Sequence, residues 1–158
     1  MTLNISQEAE LLRKVPMFSK MESSKLKLLA FTSESLAFDD GESLCRAGDL
    51  ADCAYVIMSG EVEILGETPD GAEVIFGVRG ANELIGEMAV VTNSPRSASV
   101  RALGEVMAMR IMDEALLKLL SENPEIALDV MRQLSERLAD ATEKFRQVQI
   151  KLQRYESQ

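Results

Sequence analysis

The sequence contains no histidine among its 158 residues. Imidazole is the main ligand in the metal sites of β-barrel enzymes of the cupin type, and it is also the usual axial ligand of a haem sensor. Both classes of protein are therefore excluded. We predict no metal site and no catalytic residues, so the chain is not expected to be an enzyme.

Cysteine is scarce as well, since the chain has only Cys45 and Cys53. An iron–sulfur cluster requires about four cysteine ligands, and two cysteines do not make a disulfide framework. We interpret both residues as small side chains in or near the core.

Positive charge is also in short supply: 17 Lys and Arg stand against 26 Asp and Glu, a net charge of −9. Binding to nucleic acid depends on neutralising phosphates, so we expect no direct nucleic-acid contact. No apolar run approaches membrane-spanning length, and the N-terminus lacks the pattern of a secretory signal. We therefore predict a cytoplasmic protein without a membrane contact, and Met1 and the polar Glu156-Ser157-Gln158 end are expected to be natural termini.

What is present is the pattern of a single domain with a sizeable core, because 46% of the residues are hydrophobic. Apolar residues at helical spacing, interrupted at Pro16, predict two short N-terminal helices within residues 1–35. From residue 36 to 112, short β-prone runs alternate with turn signals about every ten residues. These signals are Asp39-Asp40-Gly41, Arg46-Ala47-Gly48-Asp49, Ser59-Gly60, Pro69-Asp70-Gly71, Arg79-Gly80 and Leu103-Gly104.

We therefore predict a mainly β fold with flanking helices, in which a jelly-roll β-barrel is followed by a long C-terminal helix. Within the strands, Val62 and Ile64 alternate with Glu61 and Glu63, as is typical of a half-buried strand.

The region 113–158 is predicted to be helical, with Asp113 as an N-cap and Pro124 in the first turn of the final helix. Apolar residues in this helix follow a three-then-four spacing that is typical of a coiled coil. They are Met131, Leu134, Leu138, Ala141, Phe145, Val148, Leu152 and Tyr155, and we call them the seam. The seam predicts a parallel homodimer through residues 130–155, with antiparallel and hetero-partner arrangements left open.

The residues best suited to bind a ligand lie in two short segments, Ile85-Gly86-Glu87-Met88-Ala89 and Pro95-Arg96-Ser97-Ala98-Ser99-Val100. A carboxylate such as Glu87 accepts a hydrogen bond from a ribose 2′-OH, and the fork of Arg96 binds phosphate oxygens through two charge-assisted bonds. Gly86 lets the backbone approach a sugar without a Cβ. Together these groups suit a 3′,5′-cyclic nucleotide. Glu87 and Arg96 paired with each other are the simpler alternative.

Residues 85–100 resemble the phosphate-binding cassette of the cyclic nucleotide-binding domain family, which includes bacterial catabolite-activator-type regulators, cyclic-nucleotide-dependent kinases and cyclic-nucleotide-gated channels. The resemblance extends over about residues 10 to 145. It includes Asp40-Gly41-Glu42, Ala47-Gly48-Asp49, Tyr55-Val56-Ile57 and Ser59-Gly60-Glu61-Val62.

The resemblance implies that Glu87 binds the ribose and Arg96 the phosphate of cyclic AMP or cyclic GMP, with cyclic AMP favoured. It also places the final helix over the base, where Ala141 lacks the family's hydroxyl and Thr142 keeps one. No cofactor is implied beyond this ligand. The candidate ligand-binding residues are Gly86, Glu87, Met88, Ala89, Arg96, Ser97, Ala98 and Thr142.

The function that follows is a sensor without catalysis, in which the bound nucleotide shifts the final helix and alters the surface offered to a dimer mate or protein partner. Regulators of this family usually carry a helix-turn-helix domain, and residues 1–158 contain no second apolar pattern for one. We also expect Arg96 to have no protein partner before ligand binds. The alternative function is a structural interaction module that binds no nucleotide.

Overall fold

The chain is built around one six-stranded antiparallel sheet, as shown by a computed structural model that describes residues 3–157. Met1 and Gln158, the expected natural termini, lie outside the described residues. The strands are β1 (Glu34–Phe38), β2 (Ser43–Cys45), β3 (Cys53–Glu67), β4 (Glu73–Arg79), β5 (Leu84–Ile85) and β6 (Ser99–Met112). The strand order is β1-β6-β3-β4, with β2 paired to β6 and β5 paired to β3. The predicted mainly β fold with flanking helices is confirmed.

Two N-terminal helices precede the sheet, α1 (Ile5–Arg13) and α2 (Ser23–Thr32). The start of α1 is closed by a capping box, because the Asn4 side chain accepts from the Gln7 N–H at 2.8 Å and the Gln7 side chain accepts from the Asn4 N–H at 3.0 Å. Pro16 begins a single 3-10 turn between the helices. The predicted interruption at Pro16 is therefore observed.

The two longest strands, β3 and β6, pair from Cys53↔Met112 to Leu65↔Ser99 and form the wall behind the core. Tyr55 lies in this core, where its hydroxyl donates to the Leu44 carbonyl at 2.9 Å and burial raises the pKa of the phenol. The buried cluster consists of Leu44, Cys53, Tyr55, Ile57, Val62, Ile85, Val100, Ala102, Val106 and Ala108. Cys53 is thus a core residue and Cys45 is half-buried beside the cluster.

Two predicted turns are wrong, because Ser59-Gly60 and Leu103-Gly104 lie inside β3 and β6. The register between the strands shifts on both sides of Ser59, and both glycines have a positive φ, 89° for Gly60 and 82° for Gly104. A left-handed glycine permits a bulge that bends a strand without ending it. The same dipeptides therefore produce two long bent strands instead of four short ones.

Substitution of Gly60 tests this bulge. A Cβ on Gly60 would overlap the Glu105 carbonyl oxygen and lie 3.1 Å from the Val106 Cα, whereas a Cβ on Gly104 would meet nothing within 4 Å. We expect Gly60→Ala to cost about 2–4 kcal/mol of unfolding free energy and Gly104→Ala about 1–2 kcal/mol, the cost of the backbone conformation alone. Urea unfolding measures both, and equal values would contradict a steric role for Gly60.

The expected alternation in β3 is broken at Glu63, which is only 9% exposed. Glu63 lies opposite Arg101 of β6, and the Arg101 Nη2 is 3.7 Å from the Glu63 Oε2. A buried carboxylate is tolerated because a cation faces it across the strands.

The chain divides into two compact units, Met1–Leu119 and Leu120–Gln158. Helix α4 (Asp113–Glu122) follows β6, and Asp113 is its first residue, with its carboxylate accepting from the Glu114 N–H at 2.8 Å. Helix α5 (Pro124–Glu156) begins with the proline, as predicted.

Within α5, the seam residues are exposed except for the half-buried Leu134, whereas Ile126 and Val130 are buried. The seam thus lies along one long exposed helix, and the homodimer remains a prediction. None of the helices in residues 3–157 has the length and apolar character needed to cross a membrane.

Candidate functional site

The cassette begins where β5 ends, and its two charged residues are both buried. Gly86 follows β5 with φ of 83° and precedes α3 (Glu87–Thr92), so Glu87 is the first residue of this short helix. Asn93, also left-handed, ends the helix and directs the chain back towards β6. Glu87 and Arg96 are each 5% exposed, which is unusual for charged side chains.

Arg96 is held by backbone groups from three segments. Its Nη1 donates to the Gly86 carbonyl at 2.8 Å, and its Nη2 donates to the Cys53 carbonyl and lies 3.7 Å from the Cys53 Sγ. The Arg96 backbone N–H donates to the Asp49 carbonyl at 2.8 Å, and its carbonyl accepts from the Gly48 N–H at 2.8 Å. The expectation that Arg96 has no protein partner is therefore wrong.

The physical reason is that a guanidinium has five N–H donors, and nearby carbonyl oxygens accept from several of them. The Arg96 Nε is buried and has no hydrogen-bond partner among the described residues. A buried donor without an acceptor is costly, and the Nε of Arg110 on β6, outside the cassette, is another such donor.

Gly86 is required by the position of Arg96. A Cβ on Gly86 would overlap the Arg96 Nη1 and lie 3.3 Å from its Cζ, and the positive φ is itself unfavourable for other residues. The sequence suggested that Gly86 makes room for a sugar. The structure adds that it makes room for the arginine.

The other predicted residues of the cassette occupy its helix and the segment after Arg96. Met88 and Ala89 are half-buried in α3, where the Met88 carbonyl accepts from Thr92 Oγ1 at 2.8 Å and the Ala89 carbonyl accepts from the Ser94 N–H at 3.0 Å. Ser97 is exposed and Ala98 is half-buried.

Thr142 lies in the second unit, on an exposed part of α5, and its hydroxyl donates to the Leu138 carbonyl at 2.8 Å. That bond is internal to the helix, so the role of Thr142 towards a base remains a prediction.

A cavity of about 620 Å³ lies beside the cassette. Its volume falls in the roughly 300–1,000 Å³ range of small-molecule sites. The loop before β3, strands β3 and β4, and the start of β6 contribute its walls. Ser97 and Ser99 are the cassette residues in the wall, and Glu87 and Arg96 do not line it. Lining residues of interest are Arg46, Gly66, Glu73, Phe76, Ser97 and Arg101.

Sequence reasoning missed Arg101 and its two carboxylate partners. The Arg101 Nη1 is 3.1 and 3.2 Å from the two carboxylate oxygens of Glu73, and its Nη2 is 3.7 Å from Glu63. The hydrogen bond that Arg101 donates to Glu73, with the charges of both carboxylates, raises the pKa of Arg101. Only the register places Glu63 opposite Arg101, so no local signal in the sequence reveals this group.

The thiols near Arg96 are kept neutral. Burial raises the pKa of both Cys45 and Cys53, since a desolvated thiolate is unfavourable. Neither cysteine forms a disulfide. Within residues 3–157 there is no cluster of three or more His, Cys, Asp or Glu side chains arranged to hold a metal ion.

Known proteins resemble this chain in sequence and in fold. A sequence profile described as the cyclic nucleotide-binding domain matches residues 35–123. The chain is 30% identical over 129 residues to a "CRP-like cAMP-activated global transcriptional regulator" of Mycobacterium tuberculosis, covering 82% of this chain and 58% of that protein. It is 38% identical over 104 residues to a Drosophila melanogaster "cAMP-dependent protein kinase type II regulatory subunit", covering 66% of this chain and 27% of the subunit.

Among solved structures, the sensor domain of the transcriptional regulator DNR from Pseudomonas aeruginosa superimposes with a TM-score of 0.81 at 26% identity. The match covers 88% of this chain and 93% of that domain. The chain therefore spans most of the DNR sensor domain, but only 58% of the mycobacterial regulator and 27% of the kinase subunit.

Proposed function

The chain belongs to the cyclic nucleotide-binding domain family, and from this membership we propose that it is a regulatory protein that binds a 3′,5′-cyclic nucleotide, with cyclic AMP as the first ligand to test. The observation that carries the proposal is the cassette itself, in which Glu87 and Arg96 are both buried and Ser97, directly after Arg96, lines a cavity of about 620 Å³. Two relatives whose names include cAMP support the choice of ligand.

In the proposed complex, Arg96 binds the phosphate. The bonds from Nη1 to the Gly86 carbonyl and from Nη2 to the Cys53 carbonyl fix the plane of the guanidinium in the absence of ligand. A phosphate oxygen is a stronger acceptor than a carbonyl, so the phosphate competes with these carbonyls for the N–H groups of Arg96. Ser97, exposed in the cavity wall, adds a hydroxyl donor. Glu87 accepts a hydrogen bond from the ribose 2′-OH. Met88, Ala89 and Ala98 contribute backbone groups to the binding site.

We further propose that occupancy is transmitted through α5, with Thr142 facing the base and the seam forming a homodimer or binding a protein partner. A ligand shifts such an equilibrium only by its difference in affinity for the two states. The chain would act in the cytoplasm, without catalysis and without contacting nucleic acid directly.

Calorimetric titration with cyclic AMP, and separately with cyclic GMP, tests the proposal. Micromolar or tighter binding to either nucleotide supports it and selects the base. Absence of heat with both, in a protein whose unfolding is cooperative, contradicts it.

Glu87→Gln tests the ribose contact. A neutral amide still offers a carbonyl acceptor, so we expect binding to weaken by about 1.5–3 kcal/mol, the cost of replacing a charged hydrogen-bond acceptor. The matched ligand control is 2′-deoxy cyclic AMP, which has no 2′-OH. Parent and variant should bind this analogue with similar affinity, and an equal loss for both ligands would show that Glu87 acts elsewhere.

The second candidate is an interaction module that binds no nucleotide. The observation that favours it is the charge of the cavity wall, where Glu67 and Glu73 stand against Arg46 and Arg101, and Arg101 is already paired. Such a wall adds little attraction for an anion. If this candidate is right, calorimetry detects no binding of either nucleotide, and the exposed seam is the functional surface.

A further inference from the structure

Strand β4 is an open edge of the sheet. It pairs with β3 on one side, and within residues 3–157 no strand pairs with its other side. In an antiparallel sheet, alternate residues of an edge strand direct their N–H and C=O groups outward. The free side of β4 is therefore a row of hydrogen-bonding groups that another strand is able to bind.

The sequence of β4 protects this edge poorly. Natural proteins often place lysine or proline on a free edge strand, and residues 73–79 contain neither. The strand is instead rich in apolar side chains that are between 38% and 65% exposed. They are Val74, Ile75, Phe76 and Val78. Such a group of uncovered apolar side chains on an open edge is typical of a surface that binds a partner.

A bulge is the one protective feature of the edge. Ile64 pairs with Gly77 and Leu65 pairs with Ile75, so Phe76 is an extra residue of β4. A bulge increases the local twist and interrupts regular pairing. A partner strand would therefore form only a short ladder on either side of Phe76.

The two ends of β4 carry charges of opposite sign, Glu73 and Arg79. The Glu73 side chain is 57% exposed although it accepts from Arg101, and a carboxylate is able to accept several hydrogen bonds. Within residues 3–157, Arg79 has no carboxylate partner, and its Nη1 donates to the Val78 carbonyl at 3.2 Å. Both charged groups are thus available to a second strand.

A strand with this pattern is complementary to an antiparallel copy of itself. When two copies of β4 pair about a two-fold axis at Phe76, each residue faces a residue of the other copy at the same distance from the axis. The facing pairs are Glu73 with Arg79, Val74 with Val78, and Ile75 with Gly77. Opposite charges and β-branched side chains are favourable cross-strand pairs. A shift of one residue in either direction removes both ion pairs.

We propose that β4 is a self-association surface, which pairs antiparallel with β4 of a second copy of this chain in the register that joins Glu73 to Arg79. A two-fold contact of this kind requires only one surface on each copy. The edge is short and bulged, so the contact buries less area than a standard interface, and we expect a dissociation constant of about 100 µM. The contact is distinct from the seam, which lies on α5.

The test uses the full chain with Leu138→Glu as the background, because this substitution places a charge in the middle of the seam and opposes pairing through α5. Sedimentation equilibrium is measured between about 10 µM and 1 mM. We expect monomers at the low end of this range and a monomer–dimer equilibrium at the high end.

Charge reversal then tests the register. In this background, Arg79→Glu places like charges opposite each other at both ends of the paired strands, and so does Glu73→Arg. Each should weaken association by at least about tenfold. The matched control is Lys27→Glu, which changes the net charge by the same amount as Arg79→Glu at an exposed position on α2. This control should associate like the background protein.

A mixture of the two reversed chains provides the sharpest measurement. One Glu73→Arg chain paired with one Arg79→Glu chain has opposite charges facing each other at both ends again. The equimolar mixture should therefore form a heterodimer with about the affinity of the background protein, although neither chain associates well alone. Cooperative thermal unfolding of each variant verifies that it is folded.

The outcomes decide the proposal. Association that is lost in both reversed chains and recovered in their mixture supports it. A background protein that stays monomeric up to about 1 mM overturns it, as expected if the edge serves a strand of a different protein. Equal association of Arg79→Glu and Lys27→Glu also overturns it, because the contact would then lie elsewhere on the chain. Loss without recovery in the mixture overturns the register.

Discussion

Arg96→Ala is expected to weaken cyclic-nucleotide binding by a hundredfold or more and to lower the stability of the fold in the same protein. The first effect follows from removing the phosphate partner, which costs about 3–5 kcal/mol when one member of a buried charged pair is lost. The second follows because the Gly86 and Cys53 carbonyls lose a common donor. Unsatisfied acceptors of this kind cost about 1–3 kcal/mol.

Calorimetry measures the first effect and thermal unfolding the second, for which about 2–4 °C per kcal/mol is expected at this chain length. The matched control is Arg13→Ala. Arg13 also donates from Nη1 to a backbone carbonyl, that of Met21 at 3.1 Å, but it lies on α1. This control should lose stability and keep its affinity. Arg96→Ala with lowered stability and unchanged affinity would mean that Arg96 serves the fold alone.

Leu138→Glu is expected to convert a dimer of the chain into monomers. Leu138 is an exposed residue in the middle of the seam. In a two-stranded coiled coil, the substitution would remove two buried leucines, worth about 1.5–3 kcal/mol each, and would place two carboxylates opposite each other. The dimer dissociation constant should therefore rise by a hundredfold or more, as measured by sedimentation or light scattering over a concentration series.

The control is Ala139→Glu, which adds the same charge at an exposed neighbouring position outside the seam. It should leave the dimer intact, since residues next to each other in a helix point about 100° apart. A parent protein that is monomeric at all concentrations, or equal effects of the two substitutions, would contradict the predicted homodimer.

Sequence reasoning succeeded where the signal is local. Pro16 and Pro124 mark helix boundaries because a proline lacks the N–H that a helix interior requires, and both appear at the start of a helical segment. The cassette was recognised from residue types at short spacing, and a family profile matches residues 35–123, which include it.

Reasoning failed where one segment depends on a distant one. Gly60 and Gly104 were predicted to lie in turns. A glycine with a positive φ occurs both in turns and in bulges, and only the partner strand distinguishes the two. Glu63 read as a surface residue, because only its pairing with Arg101 makes its burial tolerable. The position of Phe76 could not be predicted, because Phe76 is the extra residue of a bulge between β3 and β4, and a bulge depends on the pairing of two strands.

The amino-acid sequence by itself determined the class of fold, the position of the cassette and the classes of chemistry that a chain without histidine cannot perform. These depend on composition and on contacts between near neighbours in the chain. Only the tertiary structure decided what surrounds the cassette: the carbonyls of Gly86 and Cys53 on Arg96, and the ring of Phe76 in the cavity wall. Those contacts join residues up to 43 positions apart, and their geometry exists only after the strands have chosen their register.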